Sequence, residues 1–153
     1  MGSEAAQLLR LRFEGTLRGF EDAFTQLRAE LDRRALEPAA RYKVELVFEE
    51  IVANIVRHGM PDGGAPDVRF SFGIADRCAV LVFDDDGVPF DPRGRADPAP
   101  ARSLEEARIG GLGLMMVRKA SQSMDYVRTD AGRNVLTIVV PLQATTVASL
   151  SQA

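Results

Sequence analysis

The stretch from Val44 to Gly59 constrains this chain more than any other. It holds good helix formers and no Gly or Pro before Gly59, so it reads as a helix that stops there. At about 100° per residue, Val44, Val47, Phe48, Ile51 and Ile55 share one face, which demands burial against a second layer. Glu50, Asn54 and His58 follow one another at helical spacing along an edge of that face, while Glu49 points away beside Glu45 and Val56. A carboxylate and an amide at the rim of an apolar stripe have the makings of a base and a metal ligand. An amphipathic helix with a polar border would carry the same residues, so this helix alone leaves both readings open.

The rest of the chain supplies the partner layer. Leu8 to Phe13 alternates as a short strand does, and Leu17 to Leu36 places Phe20, Phe24, Leu27, Leu31 and Leu36 at a helical period. Pro38 restarts the chain into the helix of Asn54, and Pro61 to Gly64 forms a loop. Asp67 to Ile74 alternates with Val68, Phe70 and Phe72 on one side. Ala75-Asp76-Arg77 then turns into Cys78 to Phe83, apolar on both sides, which predicts a hairpin with a central second strand. Asp84 to Arg108 is rich in Asp, Pro, Arg and Ala, the composition of a long loop that serves as a lid or stays disordered, with a helical turn at Leu104 to Ala107. Gly111 to Ser121 reads as a helix whose core candidates are Leu112, Leu114, Met115, Met116 and Val117. Met124 to Thr129 and Asn134 to Val140 complete the strands, turning through Asp130-Ala131-Gly132, and the tail after Pro141 is expected to fray. This order predicts one domain over residues 1–153: an α/β two-layer sandwich, its sheet mixed but mostly antiparallel, with helices on one face.

Composition narrows the function classes. The net charge of −3 and pI near 5.2 argue against direct nucleic-acid binding as the main activity. Lys occurs only at positions 43 and 119, so the positive charge is almost all Arg. No segment approaches the ~18 apolar residues of a membrane span, and no signal-peptide pattern opens the chain, so a cytoplasmic location is expected. Gly2 follows Met1, but Ala6 stands where a myristoylation signal wants Ser or Thr. Cys78 is the one cysteine and sits in an apolar run, where a buried structural thiol is expected rather than a nucleophile or ligand.

Two further segments carry candidate chemistry. Asp84-Asp85-Asp86-Gly87 follows a buried strand directly, and three adjacent carboxylates repel one another, so at least one calls for a partner such as a cation or a base-edge NH. Gly110-Gly111-Leu112-Gly113-Leu114 precedes a helix; glycines admit a ligand close to the backbone, and a helix start offers free NH groups to phosphate oxygens. This is no P-loop, for no Gly-Lys-Ser/Thr follows, and no βαβ strand runs into it as dinucleotide binding would require.

The helix bearing Glu50, Asn54 and His58-Gly59, the Asp85-x-Gly87 turn and the Gly111-x-Gly113 segment, in this order, resemble the ATP-binding fold of the GHKL superfamily. Gly87 to Pro92, Gly110 to Leu114 and the late Asn134 are similar to the anti-sigma-factor serine/threonine kinases, over roughly residues 8 to 142. The resemblance implies ATP or ADP and Mg²⁺ as ligands, with a lid at about residues 91 to 110. Asn54 matches the Mg²⁺ ligand, and Glu50 matches the base that deprotonates the substrate hydroxyl, the same Glu that helix geometry selects. Asp85 matches the acceptor for the adenine amino group, and Gly87 lets the backbone pass close to the base. Gly111 and Gly113 match the glycines around the triphosphate, with Leu112 and Leu114 supplying backbone NH groups and packing. His58 matches the end of the Asn helix, where a structural role outweighs a catalytic one. Asp84 and Asp86 become surface or hinge residues, and Arg108 and Arg118 are expected as exposed lid arginines rather than phosphate contacts. One departure is Glu49, where the family carries a small or neutral residue.

The function so implied is an ATP-dependent protein kinase that doubles as an anti-sigma factor. It would phosphorylate a STAS-type antagonist on Ser or Thr and sequester a sigma factor, as a homodimer. Two alternatives are an ATP-gated binding module that sequesters its partner without phosphotransfer, and an ATPase with no protein substrate.

Overall fold

The computed structural model describes residues 7–94 and 112–143. Along the chain run β1 (Leu9–Glu14), α1 (Leu17–Arg33), α2 (Pro38–His58), β2 (Asp67–Ala75), β3 (Cys78–Asp85), a single 3₁₀ turn (Pro92–Gly94), α3 (Leu112–Ala120), β4 (Ser123–Arg128) and β5 (Asn134–Pro141). The strands form one sheet in the order β1-β2-β3-β5-β4. Every described pairing is antiparallel, so the sheet contains no parallel pair among the described residues, where the sequence reading allowed a mixed one. The helices cover one face, which makes the α/β two-layer sandwich expected from the alternating patterns.

The covered face explains the periodicities. Val68, Phe70 and Phe72 of β2, Ala79, Leu81 and Phe83 of β3, and Leu136, Ile138 and Val140 of β5 point inward and are buried. Against them α2 lays Val44, Val47, Phe48, Ile51 and Val52, and α1 adds Ala23, Leu27 and Leu31. Ile55, placed on the same stripe by its spacing, is only half-buried. Phe48 is the hub: its ring meets Phe20 at 5.9 Å, Phe24 at 5.8 Å, Phe70 edge-on at 4.9 Å and Phe83 at 6.2 Å. Truncating a buried Phe so placed costs about 3–5 kcal/mol. In α3, Leu114 and Val117 are buried, whereas Leu112, Met115 and Met116, expected in the core, are half-buried.

Element ends follow local chemistry. Thr16 caps α1 by accepting from the Gly19 amide at 3.0 Å. That helix stops at Arg33, short of the expected Leu36: Ala35 takes φ +52°, and Glu37, preceding a proline, is extended. Pro38 opens α2 at a position where a missing NH does no harm, and Gly59, at φ +58°, ends it. The β2–β3 turn puts both Asp76 and Arg77 at positive φ (+50° and +62°), the handedness that suits a two-residue hairpin.

Two expectations need correction. Asp84 and Asp85 belong to β3, so the loop begins at Asp86 rather than Asp84, with a 3₁₀ turn at Pro92–Gly94; the expected helical turn at Leu104 to Ala107 lies outside the described residues. Cys78 is half-buried on the uncovered face, with its Sγ 3.7 Å from Gln122 Oε1, because it begins β3 at the outward phase of the alternation.

Candidate functional site

β3 alternates inward and outward to its last residue, so Asp84 and Asp85 diverge to opposite faces of the sheet. Asp84 goes outward to the Arg133 guanidinium, which also meets Asp67 at 3.2 Å. Asp86 accepts from the Asp67 amide at 2.7 Å. Asp85 goes inward and is buried. Its Oδ1 accepts from the Gly87 amide at 2.9 Å and from Asn134 Nδ2 at 3.1 Å, and Oδ2 makes no hydrogen bond to the described residues. Burial pushes the Asp85 carboxyl above its usual range, against the opposing pull of Asn134, of the Gly87 amide and of the more distant Arg133.

Asp85 lines a cavity enclosing about 420 Å³ of empty space, open solvent at its mouth included. Asn54 and His58, on successive turns of α2, share that cavity, with Ile51 and Ile55 as an apolar wall and Phe90, Tyr126 and Asn134 opposite. His58 stacks on Phe90 with ring centroids 4.3 Å apart. The Gly59 carbonyl accepts from the Val88 amide at 3.0 Å and so ties the end of α2 to the turn after β3. Gly87 is buried behind Asp85, where a Cβ would lie 2.8 Å from the Gly59 carbonyl oxygen; only glycine passes there. Asn54 is buried, and its Oδ1 accepts from the guanidinium of Arg57 one turn on.

Glu50 lies one turn before Asn54, outside the cavity lining and half-buried. It meets Gly113 of α3, where a Cβ would fall 1.8 Å from Glu50 Oε2. The sequence reading gave the smallness of Gly113 to phosphate contact; in the structure a carboxylate fills that space. Glu49 is exposed, as helix geometry required, and its carboxyl is pushed up by partial loss of water contact, then by Glu45 and Glu50. Leu112, Gly113 and Leu114 stand on α3 outside the cavity lining, with Leu114 in the core. Arg118 reaches the Pro92 carbonyl at 3.4 Å. Gly111 and Arg108 lie outside the described residues.

Asn54, His58 and Asp85 are therefore brought together, with Gly87 behind them, and Glu50 is paired with Gly113. The sequence reading did not single out Phe90, Tyr126, Arg128 or Arg57. The available signal was the inward phase of β4 and β5: in register, Asn134 stands opposite Asp85 and Arg128 opposite Asn134.

The pattern of the histidine kinase-like ATPase domain matches residues 13–140. The chain belongs to that family. Within this histidine kinase-like ATPase family, the serine/threonine-protein kinase BtrW of Bordetella bronchiseptica is 33% identical over 98 residues, which span 64% of this chain and 68% of that protein. The RsbU and RsbW domains of a Mycobacterium tuberculosis protein superpose with a TM-score of 0.61 at 18% identity, covering 89% of this chain and 32% of that one, so this chain spans about a third of it. The SiaB–SiaC complex of Pseudomonas aeruginosa gives 0.57 at 19% identity, covering 88% of this chain and 91% of its counterpart. These two structures share the fold. The resemblance to the GHKL anti-sigma kinases is borne out, and membership implies ATP binding and, at family level, kinase-type phosphotransfer. Among the described residues no helix is long and apolar enough to cross a membrane.

Proposed function

We propose that this chain is an ATP-dependent serine/threonine protein kinase and anti-sigma factor. In this reading it phosphorylates a STAS-type antagonist and sequesters a sigma factor, exchanging partners as nucleotide state and phosphorylation change. The observation that carries it is the line of groups along α2. Asp85 and His58 lie at one end of the cavity, Asn54 comes a turn further, and Glu50 lies a turn beyond that.

Asp85 accepts the adenine amino group through Oδ2, while Ile51, Ile55 and Phe90 exclude water from the ring. Gly111, Leu112, Gly113 and Leu114 border the triphosphate. Glu50 orients the Ser or Thr hydroxyl and takes its proton as that oxygen bonds to the γ-phosphorus and the bond to the ADP oxygen breaks. Mg²⁺, when bound, neutralises charge on the phosphates. Asn54 Oδ1 would hold the ion, a donor that suits one arriving with phosphates and water; no group of three or more Asp, Glu, His or Cys among the described residues could hold an ion. The guanidinium of Arg57 on that oxygen opposes a cation there. The reading includes a homodimer of single-domain chains in the cytoplasm. One protein of the same fold, SiaB, is seen in complex with SiaC, which supports partner binding.

Labelled ATP, the chain and a candidate STAS partner test the proposal: label is expected on the partner, and Glu50→Gln is expected to retain ATP binding while losing transfer by about 10²-fold or more. Partner binding that follows nucleotide without label transfer would select the sequestering module instead. Unchanged transfer in Glu50→Gln would remove Glu50 as the base.

A further inference from the structure

The partners of Asn134 are sorted by chemistry. Its Nδ2 donates to Asp85 Oδ1 at 3.1 Å and to the Val88 carbonyl at 2.9 Å, both acceptors. Its Oδ1 accepts from the Tyr126 hydroxyl at 2.6 Å, from Arg128 Nη1 at 3.1 Å and from the Phe90 amide at 3.4 Å. A flipped amide would set its oxygen against a carboxylate and a carbonyl, and its NH₂ against a guanidinium and a backbone NH. A tyrosine hydroxyl can turn to suit either orientation; a guanidinium can only donate. The Phe90 amide and Arg128 can only donate, and the Val88 carbonyl can only accept, so together they forbid the flip; the same Arg128 Nη1 also donates to the Gly87 carbonyl at 2.9 Å, bracing the turn beside Asp85.

We propose that Arg128, assisted by Tyr126, is a positioning residue for base selection: it braces the Asn134 amide and the Gly87 turn that together hold Asp85 Oδ1, so that Asp85 turns its other oxygen to the cavity as an acceptor. Such an oxygen accepts from the 6-amino group of adenine and opposes the 6-carbonyl of guanine or hypoxanthine. This inference rests on the nucleotide reading above and adds how the base is chosen. With Arg128 removed, the Asn134 amide and the Gly87 turn each lose a fixed donor, and Asp85, which both of them hold through Oδ1, is released from its acceptor pose.

The test uses the full chain and four probes: ADP, purine riboside 5′-diphosphate (which lacks the 6-amino group), IDP and GDP, each titrated calorimetrically. The wild type is expected to bind ADP at least about tenfold tighter than the other three, the worth of one hydrogen bond to a charged acceptor. Arg128→Met should weaken ADP about tenfold and leave purine riboside diphosphate within about twofold, so that discrimination collapses. Arg128→Lys keeps a donor and should restore part of the preference, and Tyr126→Phe should lose less than Arg128→Met. In an Asp85→Asn background, Arg128→Met should change nothing further, because its route runs through that carboxylate. Equal losses for ADP and for the analogue, or intact discrimination in Arg128→Met, would overturn the positioning role and leave nucleotide binding standing. A wild type that binds none of the four probes would overturn the nucleotide reading and this inference together.

Discussion

Asp84 and Asp85 are neighbours in sequence and live under opposite rules. On the open face of the sheet, carboxylates meet arginines: Arg12 reaches Asp67 at 2.8 Å, and Arg133 bridges Asp67 and Asp84. At the cavity, exposed arginines meet amides of its lining instead, Arg57 on Asn54 and Arg128 on Asn134, and the carboxylate of Asp85 is held by an amide and a backbone NH. The consequence is a difference in sign. The hydrogen bond from Arg12, its charge and those of Arg133 and Arg69 hold the Asp67 carboxyl below its usual range, whereas burial holds that of Asp85 above. A carboxylate already neutralised by arginines has little left to offer a ligand. One buried among neutral donors retains an oxygen for recognition, and the fold carries the cost of taking it out of water.

Asp85→Asn probes that cost most directly. The new side chain can keep both internal bonds while presenting NH₂ to the cavity, so ADP affinity should fall by about 10²-fold, the penalty of an unpaired donor at a buried site. Thermal stability at neutral pH should hold or rise. Asp85 binds a proton more readily in the folded chain than in the unfolded one, so its contribution to stability falls as pH rises from the unfolded pKa through the folded one, and a neutral residue escapes that loss. A melting temperature lowered by several degrees would break the contrast. Arg133→Ala probes the other face: it strands Asp84 and Asp67 and removes bonds to the backbone carbonyls of both, each at 3.2 Å. We expect about 1–2 kcal/mol of lost stability by urea unfolding, with ADP affinity within about twofold of wild type.

Acid sharpens the comparison further. Asp67 binds its proton less readily in the folded chain, so its stabilisation is present above the unfolded pKa near 3.8 and is lost as pH falls through the folded value. Asp67→Asn should flatten the acid limb of stability against pH. Asp85→Asn should make the decline begin at higher pH, because it removes a group that gains stability as acid is added. The smallest effect is expected at Arg57. It competes with a metal for Asn54 Oδ1, so Arg57→Met should lower the Mg²⁺ concentration for half-maximal ADP binding by a few fold, at about 1 kcal/mol or less, and leave metal-free binding unchanged.

Where local pattern decides structure, the sequence was informative. The stripe of α2 located Val44, Val47, Phe48 and Ile51 in the core, and alternation located the inward residues of β2 and β3. The angle between Glu49 and Glu50 separated an exposed carboxylate from one facing α3. It was less informative where distant segments decide. The Asp84-Asp85-Asp86 run reads as a turn, yet the strand continues through the first two because each finds a partner on its own side of the sheet, Arg133 just before β5 and Asn134 at its start. Tyr126 and Arg128 join the site only through the register of β4 on β5, which no spacing within one element encodes. The end of α1 was overrun because nothing in the sequence announces a left-handed Ala35.

The contact between Glu50 and Gly113 has a mechanical consequence. One hydrogen atom is the whole clearance between the third helix and this carboxylate, so the helix acts as a gauge block that sets how far the acid protrudes. A methyl at position 113 would displace the carboxylate tip and so reset the gauge with no change at position 50.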